Sequence, residues 1–379
     1  MVKLTGEFSK KLNHVSRVDV VWDEPKNNSV KLVRLTRGMG TRTRVRSATK
    51  IPNWQKFLRV KENLGELQDL LVEHIKEFVS GDKTLITTHH SEVVSNKSSF
   101  NTDDLAPCSH EEADYRMILH VADMVKQNIK KIRILSNDTD VVIISLAFFH
   151  TIPDLEELWI TFGTGKSKRF IPIHTIARRL GAEKCEALLG FHAITGCDSV
   201  SAFYGRGKKH AWDIWSKFPA VTEAFRFISH SPEGIPDSIL QLIEQFVVRT
   251  YTSTLDNVNN VNRARYELFQ FQAKSFDDLP PTQNALKLHI QRAAYTAGHI
   301  WGQALQKCPI LPSPLNWGYE MKEDQLCALW TTLPTLSKDH LSICSCKKQC
   351  KAPCGCVTKK VCCTSLCACR GSCYGQPKY

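Results

Sequence analysis

The apolar positions of this chain fall into two kinds of pattern: short dense runs and longer stripes at helical spacing. RVDVVWDE (residues 17–24) is a β-forming run that ends in an acid and predicts a short buried strand. From Trp54 to Val79 the spacing of Leu58, Leu64, Leu67, Leu71, Ile75 and Val79 predicts a helix, after which KTLITTHHSEVV returns to strand character. Then follow a helix over 111–127, a strand at KIRILS, a strand or buried run at VVIISLAFF, a strand at LEELWITFG, and helices in IHTIARRLG and AEKCEALLGFHAI. Strands separated by helical patterns imply parallel βαβ packing, so the expected class is α/β, a parallel sheet with flanking helices. Beyond Pro232 the pattern is mostly helical, with candidates at 236–252 and 283–306 punctuated by LPPT and CPILPSPLN. The expected organisation is residues 1–228 as an α/β domain with a basic arm at 31–50, residues 229–335 as a mostly helical region, and 344–373 as a small irregular cysteine-rich tail.

Charge and cysteine usage narrow the class. Among 379 residues, Lys and Arg outnumber Asp and Glu by 50 to 38, and the net charge of +12 favours a polyanionic partner such as nucleic acid. The first residues, MVKLTGEFSKKLNHVSR, lack the apolar core of a signal peptide, and no run of 18 apolar residues occurs. The expectation is an intracellular, nuclear protein with no membrane partner. Ten of the 15 cysteines crowd into 344–373, a density that in a reducing compartment points to metal rather than disulfides. The scattered Cys108, Cys185, Cys197, Cys308 and Cys327 read as small buried hydrophobes.

Asp23 follows one predicted strand, and Asp138 and Asp140 follow another. In an open parallel sheet, ligands collect beyond the carboxyl ends of the strands. Glu111 and Glu112 open a predicted helix, and Asp198 lies in TGCDSVSAFYGRGKKHAWDIW, where a helix gives way to a glycine-rich turn. Taken singly, each acid is explained by turn or first-helical-turn chemistry. Gathered together they would form a carboxylate pocket whose repulsion calls for cations, and hard oxygen donors suit magnesium or manganese.

In order and type, VVWDE with its basic arm, APCSHEEADYRMI, SNDTDVVII and ITGCDSVSAFYGRGKKHAWDI resemble the flap endonuclease branch of the PIN-like nucleases, over residues 17–216. In that family an acid ends a strand ahead of a basic arch, an ExEA-type motif opens a helix, a DxD follows a strand and a GxD precedes a helix-hairpin-helix. The resemblance implies Asp23, Glu112, Asp138, Asp140 and Asp198 as catalytic, metal-binding carboxylates. His110 stands where the first glutamate of the paired motif falls, which leaves Glu111 as an additional metal candidate. A further aspartate that the family supplies from an earlier strand has no counterpart in residues 1–22, so an N-terminally incomplete site is implied too. The activity implied is divalent-metal-dependent, structure-specific hydrolysis of phosphodiester bonds with two metal ions. The alternative is a catalytically degenerate, mobile-element-derived protein that binds nucleic acid or a protein partner.

Two basic stretches bear on such a partner. Arg34, Arg37, Arg42, Arg44 and Arg46 are separated by glycines and threonines with little to bury, which predicts an exposed, mobile arm. Alone the run reads equally as a solvated face or a localisation signal. Gly205, Arg206, Gly207, Lys208 and Lys209 stand at a predicted helix start, where free N–H groups and cations suit a phosphate. A capped helix with a solvated basic face explains them as well, whereas the resemblance implies a grip on duplex backbone.

The tail has the spacing CxCx3Cx3CxCx5CCx3CxCx3C. Thiolates take zinc tetrahedrally, and so many within a short segment cannot all serve separate four-cysteine sites, so bridging thiolates and about three zincs are expected. The tail resembles one repeat of the tesmin-type CXC domain, whose family binds DNA. That resemblance implies Cys344, Cys346, Cys350, Cys354, Cys356, Cys362, Cys367 and Cys369 as ligands, with Cys363 and Cys373 as candidates for the rest. A structural zinc knob and a metal buffer remain alternatives, because Pro353 replaces the family's aromatic residue and a second repeat is missing. Trp301, Trp317 and Trp330 read as core, and His89, His90 and His110 as surface or capping residues.

Overall fold

The computed structural model describes residues 14–24, 26, 29–31, 33, 40–46, 48–76, 82–230, 232–252, 258–271, 278–332, 344–346, 354–358, 363 and 367–370. Strand β1 (Arg17–Val20) pairs in parallel with β2 (Thr84–His89), and β2 pairs antiparallel with β3 (Glu92–Ser95). The second sheet repeats the plan: β4 (Lys131–Leu135) is parallel to β5 (Glu157–Phe162), and β6 (Arg169–Pro172) is antiparallel to β5. The class is α/β, but the strands form two small mixed sheets, not one parallel sheet. The connections decide this. A parallel partner needs a crossover of roughly a dozen residues or more, whereas His90 and Ser91 alone join β2 to β3, and a short loop joins β5 to β6. A hairpin, β7 (Tyr319–Lys322) with β8 (Gln325–Ala328), turns through Glu323 and Asp324, both at positive φ.

The helix expected across Trp54–Val79 is split into α1 (Trp54–Phe57) and α2 (Lys61–Lys76). The buried Asn63 amide occupies the break, donating to the carbonyls of Phe57 at 2.9 Å and Thr41 at 2.8 Å. Leu58 is exposed as a result, and Val79 lies outside the described residues. Helix α3 (Ala113–Lys126) is as expected, but VVIISLAFF belongs to a helix, α4 (Thr139–Phe148). Its many apolar side chains reflect burial among neighbours, and Asp138 caps its start, so β-branched composition gives way to tertiary context. Then come α5 (Ile173–Leu180), α6 (Ala182–Ile194), α7 (Lys208–Lys217), α8 (Val221–Ser229), α9 (Asp237–Tyr251), α10 (Val261–Phe271) and α11 (Gln283–Ala294), which runs into a π-helical turn at Tyr295–Ile300. The short α12 (Gly355–Thr358) lies in the tail.

One contiguous apolar cluster links Ile118 of α3, Val141 of α4, Ile160 of β5, Leu188 of α6, Phe225 of α8, Phe246 of α9 and Ala293 of α11. Helices α6 and α8 touch so closely at Gly190 that a Cβ there would lie 2.3 Å from the Phe225 carbonyl oxygen. Trp301 and Trp317 are buried as expected, but Trp330 is 71% exposed. Cys108 and Cys185 are buried, whereas Cys197 and Cys327 are partly exposed and Cys308 is exposed. His110 is buried, with Nε2 2.6 Å from the Gln306 carbonyl oxygen, and burial lowers its pKa to about 4. No described helix is long and apolar enough to cross a membrane.

Residues 40–46 are not a free arm. Thr41 N–H donates to the Lys56 carbonyl at 3.1 Å, Thr43 N–H to Asn63 Oδ1 at 2.9 Å and Val45 N–H to Glu66 Oε2 at 2.7 Å, so acceptors on and just before α2 pin the segment down. Arg42 adds an ion pair with Glu66. Arg44 and Arg46 are exposed beside it, and Arg34 and Arg37 lie outside the described residues.

Candidate functional site

Beyond the carboxyl end of β1 the chain is steered by β2 and α2. Trp22 N–H donates to Thr88 Oγ1 at 2.9 Å, its indole N–H donates to Thr87 Oγ1 at 2.8 Å, and Gln68 Nε2 donates to the Asp23 carbonyl oxygen at 2.9 Å. Asp23 is thereby aimed at the start of α3, where its Oδ1 accepts from Ala113 N–H at 2.9 Å and satisfies one of the helix's orphan donors. Glu112 is the residue preceding α3, and Lys31 Nζ stands between the two acids, 3.0 Å from Asp23 Oδ2 and 3.4 Å from Glu112 Oε2. Although burial opposes its charge, Glu112 and Asp23 hold the Lys31 pKa above its ordinary value. Asp19 is the other acid of VDVVWD, and it does not join them. It is buried against Arg17, at 2.6 Å, and His120, at 2.7 Å, which hold its pKa low despite burial.

Beyond the carboxyl end of β4, Asp138 Oδ1 caps α4 by accepting from Asp140 N–H at 2.8 Å. Asp140 is in turn held by His192 on α6, whose Nε2 lies 2.8 Å from Asp140 Oδ1. Asp198 is exposed on the loop after α6, where Gly196 turns at φ +104° against the backbone of Ala202. The acids feel one another. Burial, with repulsion from Asp140 and Asp198, raises the Asp138 pKa. Burial, with repulsion from Asp23 and Glu111, raises that of Glu112 to about 7 against the pull of Lys31. Asp114, in the first turn of α3, is raised to about 8 by burial and by Asp138, Glu112 and Asp23. It links the two halves of the site.

Electrostatic influence thus runs from Asp23, Glu111 and Glu112 through Asp114 to Asp138, and from Asp138 to Asp140 and Asp198. The sequence reading missed Asp114, Lys31 and His192. EEAD carried a signal for the first, an acid two residues after Glu112, but Lys31 and His192 are recruited through tertiary contacts alone. Among the described residues, the groups of three or more potential ligands whose donor atoms all lie within 4.8 Å of one another are two cysteine sets and Asp69 with His89 and His90. No three of the described carboxylates bring their oxygens that close together.

The basic element after Asp198 is divided in its contacts. Gly205 takes φ +66° and Gly207 caps α7, while Lys209 is exposed. Arg206 lies over the Tyr251 ring, 4.8 Å from its centroid. Lys208 turns inward, donating to the His192 carbonyl at 2.9 Å and Thr195 Oγ1 at 2.8 Å, and burial lowers its pKa to about 8.

In the tail, Cys344, Cys354, Cys356 and Cys363 form one close set, and Cys344, Cys363, Cys367 and Cys369 form another. The sets share Cys344 and Cys363, an overlap compatible with bridging thiolates. Sulfur separations are 3.7 Å for Cys344 to Cys363, 4.0 Å for Cys344 to Cys369 and 3.6 Å for Cys356 to Cys367. Those lengths far exceed a disulfide and match the edge of a tetrahedron of about 3.8 Å around zinc with Zn–S near 2.3 Å. No described cysteine is in a disulfide, and the cluster is compatible with zinc. Cys363, only a secondary candidate by resemblance, belongs to both sets; Cys346 packs against the cluster without entering either. Cys350, Cys362 and Cys373 lie outside the described residues.

Compared with known proteins, the chain matches no family model, no curated protein and no solved structure.

Proposed function

We propose that the chain is a divalent-metal-dependent nuclease that hydrolyses phosphodiester bonds in structured nucleic acid, on a PIN-like fold with a zinc-binding tail. The observation that carries this reading is the approach of acids from separate segments: Asp23 after β1, Glu112 and Asp114 at α3, Asp138 and Asp140 at α4, and Asp198 after α6. The donor set fits magnesium or manganese. All its donors are carboxylate oxygens, and the raised pKa values of Glu112, Asp114 and Asp138 express burial first and mutual repulsion second, both of which a hard cation relieves. Asp23, Glu112, Asp114, Asp138, Asp140 and Asp198 are the residues that would hold it. Such an ion supplies a Lewis acid for phosphoryl oxygens and lowers the pKa of a bound water. The chain's own residues prepare that chemistry. His192 fixes the orientation of Asp140, Asp138 anchors itself on the α4 backbone, and Lys31 offsets the charge of Asp23 and Glu112.

The test is cleavage of labelled flap, hairpin and single-stranded substrates with magnesium against chelator. Asp138→Asn and Asp198→Asn are expected to abolish cleavage and leave binding largely intact; unchanged cleavage by the purified variants overturns the assignment. A second reading, a catalytically silent nucleic-acid or protein binder, is favoured by one observation: the Lys31 ammonium already bridges Asp23 and Glu112. On that reading no divalent ion supports cleavage of any of the three substrates.

A further inference from the structure

The hairpin between β2 and β3 brings two histidines to the carboxyl edge of the first sheet, where α2 presents Asp69. His89 Nε2 lies 2.7 Å from Asp69 Oδ1 and His90 Nε2 lies 3.9 Å from the same oxygen, with the two imidazole centroids 4.6 Å apart. We propose that Asp69, His89 and His90 form a further metal site, selective for a zinc-type transition ion and separate from the carboxylate pocket and the cysteine tail.

Three observations support it. A tetrahedral ion held at about 2.1 Å separates its donors by about 3.4 Å, a distance that lies between the two Asp69 separations, so small side-chain rotations complete the shell. The other nitrogen of His90, Nδ1, lies 3.0 Å from Glu24 Oε2. A carboxylate on the far nitrogen fixes the tautomer and leaves Nε2 its lone pair, as is usual for metal-binding histidines. Last, His90 takes φ +53° as the first residue of a two-residue turn, a place usually given to Gly, Asn or Asp. Backbone conformations of this kind collect at functional sites.

Two imidazoles and one carboxylate select zinc, cobalt or nickel over magnesium, the reverse of the all-oxygen pocket next door. His89 is partly exposed and His90 and Asp69 are exposed, so the site is open to solvent and to further ligands such as water. Glu24 directly follows Asp23, so an ion here is joined through His90 and one peptide bond to the carboxylate pocket.

The experiment uses the full chain with its cysteine tail already zinc-loaded and with excess magnesium present, titrated with cobalt(II). Expected is one further equivalent that shows visible ligand-field bands without sulfur-to-metal charge transfer. Asp69→Asn and Glu24→Gln are expected to weaken that affinity by about 10–100-fold. The double variant His89→Ala with His90→Ala should abolish it while the far-ultraviolet circular dichroism stays unchanged. Absence of those bands in the wild type, or an unchanged affinity in the double variant, overturns the proposal.

Discussion

Asp114 is the residue through which the acids influence one another, since burial and the charges of Asp138, Glu112 and Asp23 all act on it. Its pKa is raised to about 8 and that of Glu112 to about 7. For acids raised in this way, the stabilisation is full below their unfolded values and is lost as pH rises through the folded ones. The metal-free protein is therefore expected to lose melting temperature steadily from about pH 4 to pH 8. Asp114→Asn should flatten that slope, and magnesium should restore most at the alkaline end; parallel pH profiles for wild type and variant in differential scanning fluorimetry would exclude the coupling. Because Asp114 is one of the carboxylates that would hold the ion, the same variant is expected to lower cleavage by at least about 10–100-fold, the cost of disturbing even a partner of metal ligands. At this scale the sequence was readable wherever an acid stood at the end of a strand or the start of a helix, as Asp23, Glu112, Asp138 and Asp140 do. It was silent where the chemistry is tertiary. Nothing in the order of residues announces that Lys31 faces Asp23 and Glu112 or that His192 reaches Asp140.

Among elements, helical periods were legible in α3, α9 and α11, because each carries a buried face at regular spacing, whereas α6 is buried nearly all round from Ala187 to Ile194. VVIISLAFF is open between a strand and a buried run because a buried helix can look as apolar as a buried strand, and the helix capped by Asp138 resolves it. Sheet pairing was misread for another reason. Antiparallel edges follow from the connections after β2 and β5, and composition does not set the length of a connection. A close approach between elements is also sensitive to size. Gly190→Ala would push a methyl group against the Phe225 carbonyl, so a loss of about 1–3 kcal/mol is expected, read as a lower urea midpoint at unchanged slope. A midpoint equal to that of wild type would mean that α6 and α8 have room to spread.

For the whole molecule, the net charge of +12 predicts that nucleic-acid affinity falls steeply as salt rises, with a linear dependence on a double-logarithmic plot. A flat plot from fluorescence anisotropy would argue against backbone binding. The described cysteines of the tail form a cluster of their own, distinct from the main core. Native mass spectrometry is expected to find about three zincs, and chelation should disorder the tail while leaving the α/β body folded. A zinc-free tail would refute this, as would a body that melts together with it. Because Cys344 and Cys363 each serve both sulfur sets, damage to one of them spares neither. Mild peroxide would then eject ions in a burst instead of one by one, and the tail would report oxidation as an abrupt rise in free zinc.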